Sequence, residues 1–267
     1  MKNSPQAALT TLRATRPLVH NITNYVVMNF TANALLALGA SPVMAHAAEE
    51  VDEMVALSGA LVINIGTLST PWVSAMQQAM QTAARLGKPI ILDPVGAGAT
   101  SFRNQVLVQL LAQATPTVIR GNASEIRALA GLTGSTRGVD STDSSLQSIE
   151  AARILHDRHG CVVSVSGAVD VVLDGKQVAL IENGHSVMSQ VTGMGCSASS
   201  VAAAFCAGGG SMFEAAVAAA TTMGVCGEMA AERSTLPGSF QIHFLDALAE
   251  ISPELLTEKA KIAWQEI

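Results

Sequence analysis

The feature that most constrains this chain is a regular succession of short apolar runs and longer helical patterns. PLVHNIT precedes NYVVMNFTANALLALG, SPVMA precedes HAAEEVDEMVALSG, and ALVINIGT precedes PWVSAMQQAMQTAARLG; PIILDP then precedes SFRNQVLVQLLAQ, and TVIRG precedes NASEIRALAG. Strands that are apolar at nearly every position need cover on both faces, and a helix after each strand supplies it while returning the chain for parallel pairing. The pattern predicts an α/β fold with a mainly parallel central sheet flanked by helices on both faces. Gly39, Gly87 and Gly131 fall where helix C-caps belong. Further on, CVVSVSG and DVVLDGKQVALIENG read as strands, the second folding at Asp174-Gly175 into a late β-hairpin. The C-terminal third reads as mostly helical, and MKNSPQAALTTLRAT as a short amphipathic helix.

No Pro/Ser-rich linker or charge run divides the 267 residues, so residues 1–267 are expected to form one domain. With 49% hydrophobic and 13% charged residues the chain can bury a large core, and its Ala-, Met- and Gly-rich helices favour packing against other subunits. A net charge of −6 without a basic stripe, and 3% aromatic residues, argue against a nucleic-acid partner. The N-terminus lacks a secretory h-region, which predicts a cytoplasmic protein. Residues 197–232 are rich in small apolar types, yet GGGS at 208–211 and Glu214, Glu228 and Glu232 interrupt them before a clean span of about 18 residues. Buried helices, not membrane helices, are expected there. Cys161, Cys196, Cys206 and Cys226 show no CxxC spacing and read as reduced thiols, three of them core fillers. LTGSTRGVDSTD, residues 132–143, reads as a surface loop beside a site.

Polar residues gather where the predicted strands end: His20, Asn21 and Asn24; Asn64 and Gly66; Asp93; Arg120, Asn122 and Glu125. In a doubly wound sheet such ends converge on one crevice. Asp93, before Pro94, Gly96 and Gly98, suits either a carboxylate that holds Mg²⁺ through water or a turn-forming Asp-Pro pair. Glu125 is either a site carboxylate or a helix N-terminal acid with Asn122 as the cap. Arg120 closes an otherwise apolar strand, where a guanidinium needs an anion, and phosphate is the favoured one. His20 reads as a strand-end residue that orients the site, while His46, His156, His159, His185 and His243 lack metal-ligand spacing. In VTGMGCSASS, residues 191–200, Gly193 and Gly195 permit a tight turn into a helix whose N–H groups face an anion, with Cys196 at its mouth.

Taken in order, LVHNITNYVVMNFTANALLALGASPVMAHA, ILDPVGAGAT, IRGNASEIRALAG, RGVDSTD, VTGMGCSASS and LPGSFQIHFLDAL resemble the hydroxyethylthiazole kinases, a thiamine-salvage family of the ribokinase-like superfamily. HNITN, GNASEI and the glycine-loop cysteine are the family-specific parts; the glycines alone fit any ribokinase-like kinase. The resemblance implies ATP-dependent phosphorylation of the hydroxyl of 4-methyl-5-(2-hydroxyethyl)thiazole, with Mg²⁺. It further implies that Asp93 and Glu125 serve the metal, Arg120 and Ser166 contact ATP, and Met44, Gly193 and Asn24 contact the thiazole. Cys196 then stands at the catalytic position that related kinases fill with aspartate. The resemblance also implies a homotrimer with sites between subunits, Met44 serving a neighbour's pocket. Two alternatives stay open at this point. One is a kinase for another small alcohol, a hydroxymethylpyrimidine or a sugar, against which Val27, Val43 and Met44 argue as an apolar ring seat. The other is a nucleotide-binding sensor without catalysis.

Overall fold

The computed structural model describes residues 4–132 and 141–266. Its centre is a nine-stranded sheet in the order β2 (Ser41–Val43), β1 (Leu18–Ile22), β3 (Ala60–Asn64), β4 (Ile90–Asp93), β5 (Val118–Asn122), β6 (Val162–Ser166), β7 (Asp170–Leu173), β8 (Gln177–Ile181) and β9 (Ile262–Glu266). Pairing from β2 through β6 is parallel, and β7, β8 and β9 add antiparallel edges. The turn at Asp174-Gly175 makes the expected hairpin, with Asp174 Oδ1 accepting from the Gln177 N–H at 3.2 Å.

Alternation along the buried strands builds two apolar layers. Val19, Val62, Ile91 and Val118 face one side, while Ile22, Leu61, Ile63, Ile90, Leu92 and Ile119 face the other. The first layer is closed by α1 (Pro5–Thr15), α2 (Met28–Leu38), α8 (Met194–Cys206), α9 (Met212–Arg233), α10 (Pro237–Glu250) and α11 (Pro253–Lys259). The second is closed by α3 (Val51–Leu57), α4 (Thr70–Arg85), α5 (Ser101–Gln113), α6 (Ala123–Ala130) and α7 (Ser141–His159). Helix α8 lies directly on β1, β3, β4 and β5. Its run of Ala and Ser has little side-chain bulk, which lets its backbone come close to the sheet.

The sequence reading needs adjustment in several places. β9 pairs with β8 and places a strand at the end of the expected helical third. Residues 25–27 form a turn, so α2 starts only at Met28, and α3 covers half of the helical stretch expected before Gly59. His20 and Arg120 lie at the middle positions of β1 and β5, not at their ends. Residues 141–143 of the expected loop open α7, while 133–140 lie outside the described residues. Gly39 and Gly131 cap α2 and α6 with φ of 107° and 83°, and Gly87 follows the cap of α4. Cys161, Cys206 and Cys226 are buried. Among the described residues no helix is long and apolar enough to cross a membrane.

Two glycines of α9 separate close packing from helix propensity. A Cβ at Gly224 would stand 2.6 Å from Asn183 Cβ and 2.7 Å from its carbonyl oxygen, whereas one at Gly227 would meet only the Met188 side chain. Both replacements by alanine gain helix propensity, so their difference isolates the clash. Gly224→Ala should lower unfolding free energy by about 1–3 kcal/mol and Gly227→Ala by clearly less, because a methionine side chain repacks and a backbone does not. Urea unfolding of the two variants measures the difference.

Candidate active site

At β1 the strand order turns: β2 lies on one side, β3 on the other, and the helices that follow β1 and β3 cover opposite faces. A crevice opens at the carboxyl ends of the strands beside such a point. The parallel register sets Asn64, the last residue of β3, opposite Asp93, the last residue of β4. Asn64 Nδ2 donates to Asp93 Oδ2 at 2.7 Å, and Ser199 Oγ donates to the same oxygen at 2.7 Å. Among the described residues Asp93 Oδ1 accepts no hydrogen bond. Asn24, in the turn after β1, donates from Nδ2 to Asn64 Oδ1 at 2.9 Å and to Cys196 Sγ at 3.3 Å.

Three serines tie the first turns of α8 into this network. Ser197 Oγ lies 3.0 Å from Thr31 Oγ1 of α2, Ser199 reaches Asp93, and Ser200 Oγ donates to Asn21 Oδ1 of β1 at 2.7 Å. All three are buried, so each hydroxyl requires its partner. The helix is entered through Gly193 at φ 88°, where a Cβ would come within 3.1 Å of Val27 and 3.2 Å of Phe30. Its first intrahelical bond runs from the Ser197 N–H to the Gly193 carbonyl at 2.8 Å. The N–H groups of Met194, Gly195 and Cys196 therefore stay unclaimed by the helix and carry its positive dipole end. Arg120 Nη1 donates to the Gly195 carbonyl at 2.8 Å, which holds the guanidinium against this helix start.

Glu125 has the local role that its sequence context allows. Asn122 caps α6 by accepting from the Glu125 N–H at 3.0 Å, and Glu125 Oε2 accepts from the Asn122 N–H at 2.9 Å, a complete capping box. Its other oxygen, Oε1, accepts from the Gly96 N–H at 2.9 Å and so links α6 to the loop after Asp93. Among the described residues no group of three or more His, Cys, Asp or Glu side chains could hold a metal ion. Asp93 with one free oxygen, and Glu125 beside it across the Gly96 loop, instead suit a cation that keeps several waters and takes other ligands from phosphate.

Burial sets the protonation of this crevice. It pushes Asp93 up to about 7, helped by the Glu125 charge, while Arg120, Ser199 and Asn64 pull the other way. Cys196 is also raised, first by burial and then by the Asp93 charge, against the Asn64 and Asn24 donors and Arg120. His20 is lowered by burial; its Nε2 bonds the Ala45 carbonyl at 2.7 Å and Nδ1 has no partner, so the ring is a neutral brace for the loop after β2.

A cavity of about 560 Å³ begins at Arg120, Gly195 and Ser166 and runs between β6–β8 and helices α8 and α9. Its far walls are largely apolar, from Ala216, Ala219, Ala220 and Met223, with polar groups from Asn183, His185 and Asp170. Ser166 lines this cavity. Asp93, Glu125, Cys196, Asn24 and Gly193 are not among its lining residues. Met44 is apart from both groups, half-buried just beyond the edge strand β2. Sequence reasoning missed Ser199 and Asp170. The signal for Ser199 is a hydroxyl spaced three residues beyond Cys196 in an otherwise alanine-rich helix; Asp170, pushed up to about 6 by burial, shows only as a carboxylate opening a strand.

Comparison with known proteins agrees with this geometry. Residues 9–254 match the model of the hydroxyethylthiazole kinase family. The chain is 54% identical over 257 residues to the hydroxyethylthiazole kinase of Syntrophus aciditrophicus, covering 96% of this chain and 95% of that protein. The structure of a hydroxyethylthiazole kinase protein from Pyrococcus horikoshii superposes with a TM-score of 0.91 at 43% identity, covering 98% of this chain and 99% of the other. A ribokinase-like superfamily protein from Enterococcus faecalis shares the fold at a TM-score of 0.67 and 12% identity, over 92% of this chain and 89% of that one. The chain belongs to the hydroxyethylthiazole kinase family, and its reaction is the ATP-dependent phosphorylation of hydroxyethylthiazole in thiamine salvage.

Proposed function

We propose that phosphoryl transfer takes place at the start of α8, with the nucleotide in the 560 Å³ cavity and the thiazole alcohol beside Asn24, Gly193 and Cys196. The observation that carries this reading is the Arg120–Gly195 contact, because both residues line the cavity while Cys196, the next residue, lies outside it. A triphosphate entering from the cavity thus ends at the unclaimed N–H groups of α8, with the acceptor on the far side. Arg120 and Ser166 bind the phosphates, and Met194, Gly195 and Cys196 donate backbone hydrogen bonds to the transferring group. Asn24 Oδ1, left without a protein donor when Nδ2 serves Asn64 and Cys196, accepts from the hydroxyl of the alcohol.

In the transfer, the alcohol oxygen bonds to the γ-phosphorus as the bond from that phosphorus to the β–γ bridging oxygen breaks, and ADP leaves. Asp93 and Glu125 would hold Mg²⁺ on the triphosphate; when bound, Mg²⁺ supplies neutralisation of the phosphate charge. The raised Cys196 remains a thiol in the resting site, so it seats the hydroxyl more than it serves as a ready base. In a loose transition state the hydroxyl proton leaves late, passing to an oxygen of the transferred phosphoryl group and from there to water, and positioning with charge stabilisation dominates the rate.

Residues 1–267 form one kinase domain, in keeping with a single continuous sheet. The protein is a cytoplasmic homotrimer with substrate seats between subunits. The acceptor side is open in one protomer, and Tyr25 and Val26, next to Asn24, are 62% and 65% exposed. Leu36 on α2 and Leu236 and Ile242 at and on the adjoining α10 are exposed as well, an apolar surface that a neighbour would cover while bringing Met44 to the thiazole.

Three measurements check this function. In a coupled ADP-release assay with the thiazole alcohol, Asp93→Asn should lower kcat by about a hundredfold or more, by the scale of single electrostatic contacts; turnover within a few-fold of wild type would remove Asp93 from the chemistry. Cys196→Ala should slow the reaction by about ten- to a thousand-fold without abolishing it. In the wild-type protein, iodoacetamide should alkylate Cys196 more slowly than free cysteine at pH 8, with a rate still rising past pH 9, since a raised thiol pKa leaves less thiolate. A plateau below pH 8 would mark a resident thiolate. Light scattering at micromolar concentration should give three times the chain mass; a monomer mass would overturn the shared sites.

A further inference from the structure

Asn64 is a member of the Asp93 network to which the proposed chemistry gives no task. It closes an apolar strand, is 1% exposed, and its side-chain amide is hydrogen-bonded at both ends. Oδ1 accepts from the Gly66 N–H at 2.9 Å and from Asn24 Nδ2 at 2.9 Å, while Nδ2 donates to Asp93 Oδ2 at 2.7 Å. A backbone N–H can only donate, so Gly66 fixes which end of the amide is oxygen and turns the NH₂ group toward Asp93. That choice propagates. Asn24 must present its own NH₂ to Asn64, and its second hydrogen then falls on Cys196 Sγ at 3.3 Å. Gly66 also makes room for this arrangement, because a Cβ there would stand 2.7–2.8 Å from the Asn24 side chain.

The consequence for Asp93 is directional. Asn64 and Ser199 both donate to Oδ2, which pins the carboxylate plane and leaves Oδ1 as the oxygen without a protein donor. The consequence for the acceptor side is that Asn24 and Cys196 hang on the same amide. We infer that Asn64 is a positioning residue for the transfer: oriented by the Gly66 N–H, it fixes the free oxygen of Asp93 and, through Asn24, the thiol of Cys196 in one hydrogen-bonded frame. This deepens the reading of the crevice given above and rests on it. The frame joins β1, β3, β4 and α8, so one residue sets the spacing between the carboxylate and the place where the alcohol sits.

Asn64→Asp and Asn64→Ala test it, each alone and combined with Asp93→Asn, by steady-state kinetics for ATP and the thiazole alcohol and by thermal melting. Asn64→Asp keeps the shape and the acceptor for Gly66 and Asn24 but replaces the donor to Asp93, and it carries the measurement if the alanine variant does not fold. The expected result is a kcat lowered about 10- to 100-fold, the scale of a small misplacement of reacting groups. The KM for ATP should stay within about threefold of wild type, because Arg120 and the cavity walls are untouched. On the Asp93→Asn background the further loss should shrink to less than about threefold, as for residues that act as a unit. A kcat within twofold of wild type in Asn64→Asp, or a loss that adds in full to that of Asp93→Asn, would overturn the inference. A failure of the crevice reading itself is separately visible, as near-normal turnover in Asp93→Asn alone.

Discussion

The structure depends on the seating of α8 against the carboxyl ends of the sheet. A helix that is buried from Ser197 onward must bring partners for its hydroxyls, and Ser197, Ser199 and Ser200 find them on α2, β4 and β1. Those three bonds fix the helix in translation and rotation at once, because they leave one turn of α8 toward three different elements. The unclaimed N–H groups at its start inherit that fixity. An anion site made of backbone is only as well placed as the helix behind it, and here the helix cannot shift without stranding a buried hydroxyl.

The same seating divides the site in two. Gly195 and Met194 face the cavity, Cys196 faces Asn24, and Arg120 is fastened to the Gly195 carbonyl between them. The cavity combines apolar walls from α9 with polar groups from β5, β6 and the segments around β7 and β8. Burial on this side raises Asp93 and Cys196 together, and the two effects have one origin: charge there is costly, and the Arg120 guanidinium offsets that cost only in part.

Much of this was legible in the sequence, for definite reasons. Continuous apolar strands followed by helical patterns leave few topologies besides a covered parallel sheet, so the order of elements through α6 and the Asp174-Gly175 hairpin could be read directly. Asp93, Arg120 and Cys196 stood out because a charged or reactive side chain interrupts an apolar or small-residue run. Ser199 did not, since a serine among alanines reads as helix, and Asn64 could be read only as one of the polar residues at the strand ends; their meaning lies in contacts across 106 and 29 positions of chain. β9 was hidden for a related reason: a strand that pairs only at an edge, with β8, carries four exposed residues out of five and shows no apolar run. Glu125 was legible in both of its readings, and the capping box shows how one carboxylate serves a helix start and still faces the loop after Asp93.

The frame around Asn64 bears on why a thiol suits position 196. Two amide NH₂ groups, from Asn24 and Asn64, face Cys196, and each is already committed at its other hydrogen, to Asn64 Oδ1 and to Asp93. A weak acceptor such as sulfur takes what donation remains without competing for it. A carboxylate in its place would draw both amides toward itself and add a second negative charge beside Asp93, whose own ionisation burial already opposes. The thiol keeps a second carboxylate away from Asp93 and leaves Asn64 turned toward it.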